Sequence, residues 1–245
     1  MAESDLLMDF TETHHALLFG WIAKAVIEQI GEARGEAALR KAVQQYGNER
    51  GHRMALRASA NREPLTMANY LAYGEWRSTP GNAHDVQVIE KKPDARVQMR
   101  KCPWYGAWKE NGLVPYGRLY CLEIDKALVQ GFNPGLRLDV NATQPDGADC
   151  CEFVYHGATF SLPSYLLLAY KKAIYPGKSA VMPWEYHLGH LFATLEKVLL
   201  AELSEPGNKA VQAGLAEFTR WFGEPAAQAI LTYRPIDFNR LPAGS

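Results

Sequence analysis

Residues 36–60, EAALRKAVQQYGNERGHRMALRASA, predict a long helix that carries charge on the side where a core is expected. One stripe at helical spacing begins with apolar side chains and continues with arginines, in the order Leu39, Val43, Tyr46, Arg50, Arg53 and Arg57. At 3.6 residues per turn these six side chains fall within a sector of about 80°. Three arginines therefore occupy the predicted core face.

The arginines have two interpretations. In the first, the end of the helix leaves the core, and the arginines are solvated or paired with Glu49 or Glu63. In the second, they clamp the carboxylate of a substrate, because a guanidinium offers a planar pair of donors that a lysine lacks. Arg50 and Arg53 are the first candidates for that clamp.

A strip of mostly small side chains lies beside the arginine stripe. It consists of Gly47, Gly51, Met54, Ala55 and Ala58. Such a strip suits the close approach of another helix, which explains why two glycines are tolerated within a helix. Together with the long helices, it is also compatible with a homodimer.

Three blocks of different periodicity divide the chain, which we expect to form a single domain over residues 1–245. Residues 1–80 and 158–245 show helical patterning, whereas residues 84–157 contain segments in which apolar and polar residues alternate. This order predicts an α+β fold, with a small antiparallel sheet between an N-terminal and a C-terminal helical block.

Turn and cap residues set the expected element boundaries. In the first block, helices are expected at Leu6 to Ile30, capped by Thr11 or Thr13, at Glu36 to Ala60, and at Pro64 to Trp76. The middle block predicts a hairpin with strands around residues 86–88 and 97–99, helices Trp104 to Lys109 and Tyr116 to Val129, and strands Leu136 to Val140 and Cys151 to His156. The clearest later helices are Glu185 to Leu203 and Lys209 to Phe222.

The charge balance excludes several classes of partner. The chain has 26 Lys and Arg residues against 27 Asp and Glu residues, a formal net charge of −1. This balance argues against binding to nucleic acid or to an anionic membrane through bulk charge. No secretory signal is evident, and no stretch reaches the roughly 18 uncharged apolar residues that a membrane span needs. We expect a cytoplasmic protein whose partner is a small molecule.

Four cysteines, Cys102, Cys121, Cys150 and Cys151, need an explanation other than disulfides in a reducing compartment. Cys102 lies where a predicted strand gives way to a helix. Backbone N–H groups and the helix dipole lower the pKa of a thiol at such a junction. Burial is the alternative explanation, because free cysteines are often buried and no pair shows the two-residue gap of a zinc knuckle.

Three of these thiols could share one site. Cys121 and Asp125 are four residues apart on one predicted helix and project from the same face. Cys150 and Cys151 are neighbours next to a predicted strand, where adjacent side chains point to opposite faces, so at most one of them joins the site. We expect Cys102, Cys121, Cys151 and Asp125 to meet, with Cys150 left out.

Five short motifs occur in series over roughly residues 10–157. They are Tyr46-Gly47-Asn48-Glu49-Arg50-Gly51-His52-Arg53-Met54-Ala55, Cys102-Pro103-Trp104, Tyr120-Cys121-Leu122-Glu123-Ile124-Asp125, Gly131-Phe132-Asn133-Pro134 and Gly147-Ala148-Asp149-Cys150-Cys151-Glu152-Phe153. Together they resemble the L-2-amino-thiazoline-4-carboxylic acid hydrolase family. The resemblance implies hydrolytic opening of a small cyclic amidine or amide; in the founding reaction, a thiazoline carboxylate becomes an N-carbamoyl cysteine.

A more distant similarity suggests a metal. A hairpin ending in Cys, then a helix, then two strands with Gly147 before Cys151, is similar to small-molecule-binding domains of the vinyl-4-reductase type. Members of that group can hold zinc with cysteines from these elements, which makes Cys102, Cys121, Asp125 and Cys151 an alternative ligand set. However, Thr143 and Val140 stand where that group has a cysteine ligand and an acidic ligand.

These observations favour a hydrolase with a cysteine-centred site and no cofactor. Cys102 is the expected nucleophile, with Cys121 as its substitute, and Asp125 is the expected acid or base. The predicted substrate-binding residues are Arg50, Arg53, His52, Trp104, Tyr120, Cys151 and His156. Two alternatives stay open: a zinc ion held by the same cysteines, and a non-catalytic domain that binds or senses a small molecule.

Overall fold

The computed structural model describes residues 9–174 and 181–242. Its helices are α1 (Glu12–Ile30), α2 (Glu32–Ala60), α3 (Met67–Ala72), α4 (Pro103–Glu110), α5 (Val114–Cys121), α6 (Ile124–Phe132), α7 (Leu162–Ile174), α8 (Trp184–Phe222) and α9 (Glu224–Leu231). Its strands are β1 (Asp85–Glu90), β2 (Ala95–Lys101), β3 (Leu138–Ala142) and β4 (Cys151–Tyr155). The predicted α+β class is confirmed. Within the described ranges, no helix combines the length and the apolar character that crossing a membrane requires.

The four strands form one antiparallel sheet in the order β1-β2-β4-β3. In the register of β2 with β4, Met99 pairs with Cys151 and Val97 with Phe153. Cys151 and Phe153 are buried in a cluster that includes Met67 of α3 and Val129 of α6. One face of the sheet is therefore covered by helices, and the predicted hairpin and second strand pair are confirmed.

The first helices begin and end at the expected type of residue. The Thr11 side chain caps α1 by accepting a hydrogen bond from the Thr13 N–H. Gly31 separates α1 from α2 with a φ of +94°, a conformation that glycine adopts without a Cβ clash. The predicted start at Leu6 lies outside the described residues. The third helix is shorter than predicted: Thr66 caps it through the Asn69 N–H, so it begins after Pro64.

The prediction of one helix from Tyr116 to Val129 is wrong, because the chain bends between α5 and α6. Glu123 lies in the bend with its carboxylate directed at α2. It accepts hydrogen bonds from Arg40 Nε at 2.6 Å and Gln44 Nε2 at 2.8 Å. These contacts hold the bend against α2, and the four-residue spacing could not reveal them.

The two predicted C-terminal helices join in α8. Ser204 interrupts the helix with a φ of +56°, and Pro206 follows within the same element. A proline lacks the N–H that a continuing helix needs, so a kink here has a local cause. The two segments on either side agree with the predicted helices.

The small-residue strip of α2 is a contact surface for α6. A Cβ at Gly51 would lie 2.1 Å from the Leu128 carbonyl oxygen, and one at Gly47 would lie 2.6 Å from Ala127 Cβ. Only glycine permits this approach. Since α6 of the same chain occupies the strip, the strip gives no support to a homodimer.

The arginine stripe of α2 is buried around a single carboxylate, that of Glu75. Glu75 Oε1 and Oε2 accept hydrogen bonds from Arg53 at 2.9 and 2.8 Å, and Oε1 also accepts one from Arg57 at 2.7 Å. Arg50 Nε lies 3.5 Å from Oε2. Burial acts to raise the pKa of Glu75, but Arg53 and Arg50 outweigh it and hold that pKa well below its usual range.

Pairing of the arginines with Glu49 or Glu63 is therefore a wrong prediction. Glu49 accepts a hydrogen bond from His190, and Glu63 accepts one from Lys171. The Glu75 cluster, which we define as Glu75 with Arg50, Arg53 and Arg57, also extends to the C-terminal segment, because Arg53 Nη1 donates to the Phe238 carbonyl at 2.7 Å.

We expect Glu75→Gln to lower the free energy of unfolding by about 3–5 kcal/mol, because it leaves buried guanidinium groups without their counter-charge. Urea denaturation measures the change. Glu110→Gln removes the same charge at an exposed position on α4 and should change stability by less than about 0.5 kcal/mol. Equal stability of the two variants would contradict the role given to Glu75.

Candidate functional site

A cavity of about 240 Å³ lies between the buried face of the sheet and helices α4, α5 and α6. Three thiols and one carboxylate line it, those of Cys102, Cys121, Cys151 and Asp125. We call it the thiol cavity. Trp104 and Tyr120 contribute aromatic walls, and Cys150 does not line it.

The three cysteines and Asp125 each lie at an end of an element. Cys102 directly precedes α4, Cys121 is the last residue of α5, and Asp125 lies in the first turn of α6. Cys151 begins β4, and its sulfur accepts a hydrogen bond from the Gln144 N–H at 3.3 Å. The bend between α5 and α6 leaves Cys121 and Asp125 on the same cavity, although they belong to different helices.

Burial dominates the electrostatics of the thiols. It raises the pKa of Cys102 to about 11, although the backbone N–H groups of Tyr105 and Trp104 act to lower it. Burial also raises the pKa of Cys121 well above its usual value, and that of Cys151 to a lesser degree. The expectation of a lowered pKa at Cys102 is therefore wrong. All three sulfurs are protonated at neutral pH.

The Asp125 carboxyl titrates near neutral pH. Burial raises the pKa of its carboxyl to about 6, and the positive charge of Arg50 acts in the opposite direction. A carboxyl with this pKa can both accept and donate a proton under physiological conditions. The same cavity thus holds neutral thiols and an acid–base carboxylate.

Arg50 lies behind the cavity wall. Its guanidinium carbon is 3.6 Å from the centre of the Trp76 ring, and Trp76 lines the cavity. Arg50 Nε and Nη1 are buried and have no hydrogen-bond partner within the described residues. The charge acts to lower the pKa of Tyr120 as well as that of Asp125, so its field reaches the cavity interior.

Three residues predicted to bind substrate are not brought to the thiol cavity. Arg53 donates to Glu75 and Phe238, His52 is exposed on α2, and His156 lies near the surface between two carboxylates. The carboxylates of Asp139 and Asp94 accept its ring hydrogen bonds and raise the pKa of His156. The remaining predicted residues line the cavity, apart from Arg50 behind it.

The described parts of the chain contain no group of three or more His, Cys, Asp or Glu side chains arranged to hold a metal ion. Cys102, Cys121, Cys151 and Asp125 share a cavity, but as placed they do not form such a group. The geometry therefore offers no ready ligand set for zinc.

A comparison with protein families identifies the chain. The family model described as L-2-amino-thiazoline-4-carboxylic acid hydrolase matches residues 11–155, more than half of the chain. The chain belongs to this family. The matched residues include the three thiols and Asp125 of the thiol cavity and the Glu75 cluster. Comparisons with curated proteins and with solved structures give no match.

In this member of the hydrolase family, a buried histidine holds a cavity wall in place. His15 Nδ1 accepts a hydrogen bond from Trp104 Nε1 at 3.0 Å, so His15 Nε2 carries the proton and donates to Tyr46 Oη at 3.0 Å. Burial lowers the pKa of His15 well below its usual value and keeps the ring neutral. Sequence reasoning missed this role, and it also missed Glu75.

A weak signal for both residues was present. Tyr46 lies on the predicted core face of α2, and a buried hydroxyl needs a hydrogen-bond partner. The three arginines on the same face likewise demand an acidic partner. Neither requirement identifies the partner residue, because Glu75 and His15 lie in other parts of the chain.

Proposed function

We propose that this protein is a hydrolase that opens a small nitrogen-containing ring, a cyclic amidine or amide, in the thiol cavity. The observation that carries the proposal is the pairing of Asp125, whose pKa is about 6, with three thiols in one cavity. The volume of about 240 Å³ lies below the range of about 300–1,000 Å³ for drug-sized ligands, so it suits a single small ring. Membership of a family named for a hydrolase supports the same conclusion.

In the first step, Cys102 Sγ attacks the amidine or amide carbon of the ring. Because the thiol is protonated, the Asp125 carboxylate accepts its proton as the sulfur–carbon bond forms. Asp125 then gives this proton to the departing ring heteroatom as the ring bond breaks. Cys121 is the substitute nucleophile, since its sulfur lines the same cavity.

In the second step, water attacks the carbon bonded to Cys102. Asp125 accepts a proton from this water and gives it to Cys102 Sγ as the sulfur–carbon bond breaks. The product is the substrate plus one water, and both residues return to their starting protonation states.

Arg50 does not clamp a substrate carboxylate together with Arg53 in this mechanism. Trp76 lies over its guanidinium, so Arg50 acts on the cavity through its charge and stabilises negative charge that develops during the attack. Tyr120 Oη is buried and has no hydrogen-bond partner among the residues described, so it can bind a polar atom of the ring. Trp104 supplies a flat wall against which a planar ring can pack.

Incubation with a panel of cyclic amidines, hydantoins and lactams tests the function directly. We expect at least one ring to gain the mass of one water, as measured by mass spectrometry. Binding of rings without added water would instead favour a non-catalytic small-molecule-binding domain.

Replacement of the nucleophile tests the mechanism. Cys102→Ser should keep the fold, as judged by circular dichroism, and lose about 10³-fold or more in kcat. Cys150→Ser is the matched control, because Cys150 does not line the cavity, and its kcat should stay at the parent value. Undiminished turnover in Cys102→Ser would exclude the nucleophile role. Elemental analysis of protein purified without chelator tests the zinc alternative. About one zinc per chain would assign Cys102, Cys121, Cys151 and Asp125 to metal binding.

The pKa of Asp125 predicts a pH dependence. Since the first step needs the ionised carboxylate, kcat/KM should rise with pH through about 6. Asp125→Asn should remove this limb of the profile and lower kcat/KM by about 10²–10⁴-fold. The exposed Asp149→Asn control should retain the limb. A limb that persists in Asp125→Asn would show that another group titrates.

A further inference from the structure

Helix α7 presents large apolar side chains to solvent. Leu162 is 73% exposed, Tyr165 and Leu166 are each 59% exposed, and Leu167 is 54% exposed. We call these four side chains the α7 face. Single exposed apolar side chains are common on folded proteins, but four on one short helix form a patch of the kind that marks an interaction site. Helix α7 follows the residues that the family model matches, so the α7 face is not part of that match.

The opposite side of α7 is bound to the rest of the chain. Ser164, Leu168 and Lys171, at spacings of four and three residues, are half-buried, and Leu168 packs against the main core. Lys171 Nζ donates hydrogen bonds to Glu63 at 2.7 Å and to Asn69 Oδ1 at 2.6 Å. The polar contacts of the helix are therefore made on its inner side, and its outer side is apolar, which is the reverse of an ordinary surface helix.

The α7 face has the area that a dimer contact needs. Large side chains that are more than half exposed present roughly 100 Å² each, so the face offers about 400 Å² of apolar surface. A standard interface buries about 800 Å² on each partner, and homodimer interfaces are about 65% apolar, which corresponds to about 500 Å² of apolar surface. The α7 face supplies most of this area, and it includes a tyrosine, a residue type that is enriched in interfaces.

Charge favours a second copy of this chain over a membrane as the partner. Residues 162–170 contain no charged residue, so two identical faces can meet around a two-fold axis without repulsion. Helices that lie on membranes carry lysines or arginines on their polar side, where these meet anionic lipids. In α7, by contrast, the Lys171 ammonium is bound within the chain by Glu63 and Asn69. The net charge of −1 adds little repulsion between two copies.

We propose that the α7 face joins two copies of this protein in a homodimer, in which the two α7 helices pack against each other around a two-fold axis near Leu166. Leu166 lies between Leu162 and Ala169 on the outer side of the helix, at spacings of four and three residues. A residue at the axis meets the same residue of the second copy. The inference concerns assembly and does not depend on the proposed hydrolysis.

Sedimentation equilibrium of the full chain measures the Kd of the dimer. Leu166→Glu should raise this Kd about 100-fold or more, because each copy loses a large apolar contact and buries a charge beside the same charge of the second copy. Leu166→Lys should act in the same way. An equimolar mixture of the two variants should dimerise at least about tenfold more tightly than either variant alone, since opposite charges then meet at the axis.

Leu200→Glu is the matched control. It places the same charge at an exposed leucine of α8 and should keep the parent Kd. Circular dichroism checks that each variant retains the parent fold. A parent protein that stays monomeric at high micromolar concentration would overturn the dimer. So would an unchanged Kd in Leu166→Glu, or a mixture of the two Leu166 variants that dimerises no better than either one.

Cosedimentation with vesicles of phosphatidylcholine and phosphatidylserine tests a membrane as the occupant of the α7 face. We expect no binding of the parent protein to these vesicles. Binding of a monomeric parent protein that is lost in Leu166→Glu would overturn the homodimer in favour of a membrane surface.

Discussion

The carboxylate of Glu75 is the constraint on which the rest of the structure depends. Three arginines on the core face of α2 would be too costly to bury without it, because an unpaired buried charge loses its hydration and gains nothing in return. Glu75 accepts hydrogen bonds from Arg53 and Arg57 and lies beside Arg50. The neighbouring residue, Trp76, is thereby held over Arg50 and forms part of the cavity wall.

The thiol cavity owes its electrostatic character to burial and to the nearby charge of Arg50. Burial raises the pKa of the cysteines and of Asp125 alike, and at Asp125 the Arg50 charge offsets that effect only in part. The result is a set of protonated thiols beside a carboxyl that titrates near neutral pH. The mechanism that we propose therefore relies on proton transfer through Asp125, rather than on a thiolate formed in advance.

Much of the site could be predicted from local patterns. The motifs around Cys102, Cys121 and Cys151 indicated the family, and Cys151 lines the cavity while Cys150, which lies just before β4, does not. Arg53 was assigned to the wrong task, because its position on the stripe is equivalent to that of Arg50. Only the position of Glu75 in the fold distinguishes Arg53, which donates hydrogen bonds to Glu75, from Arg50, whose Nε and Nη1 have no hydrogen-bond partner among the described residues.

The sequence by itself indicated the fold class, the family and the three cysteines and Asp125 of the cavity, because periodicity and short motifs depend on neighbours along the chain. The tertiary structure alone decided the bend at Glu123, the raised pKa of Cys102 and the role of His15. Each of these depends on which distant side chains approach and how much water they exclude. Desolvation and partner choice are properties of the packed molecule, and no spacing along the chain encodes them directly.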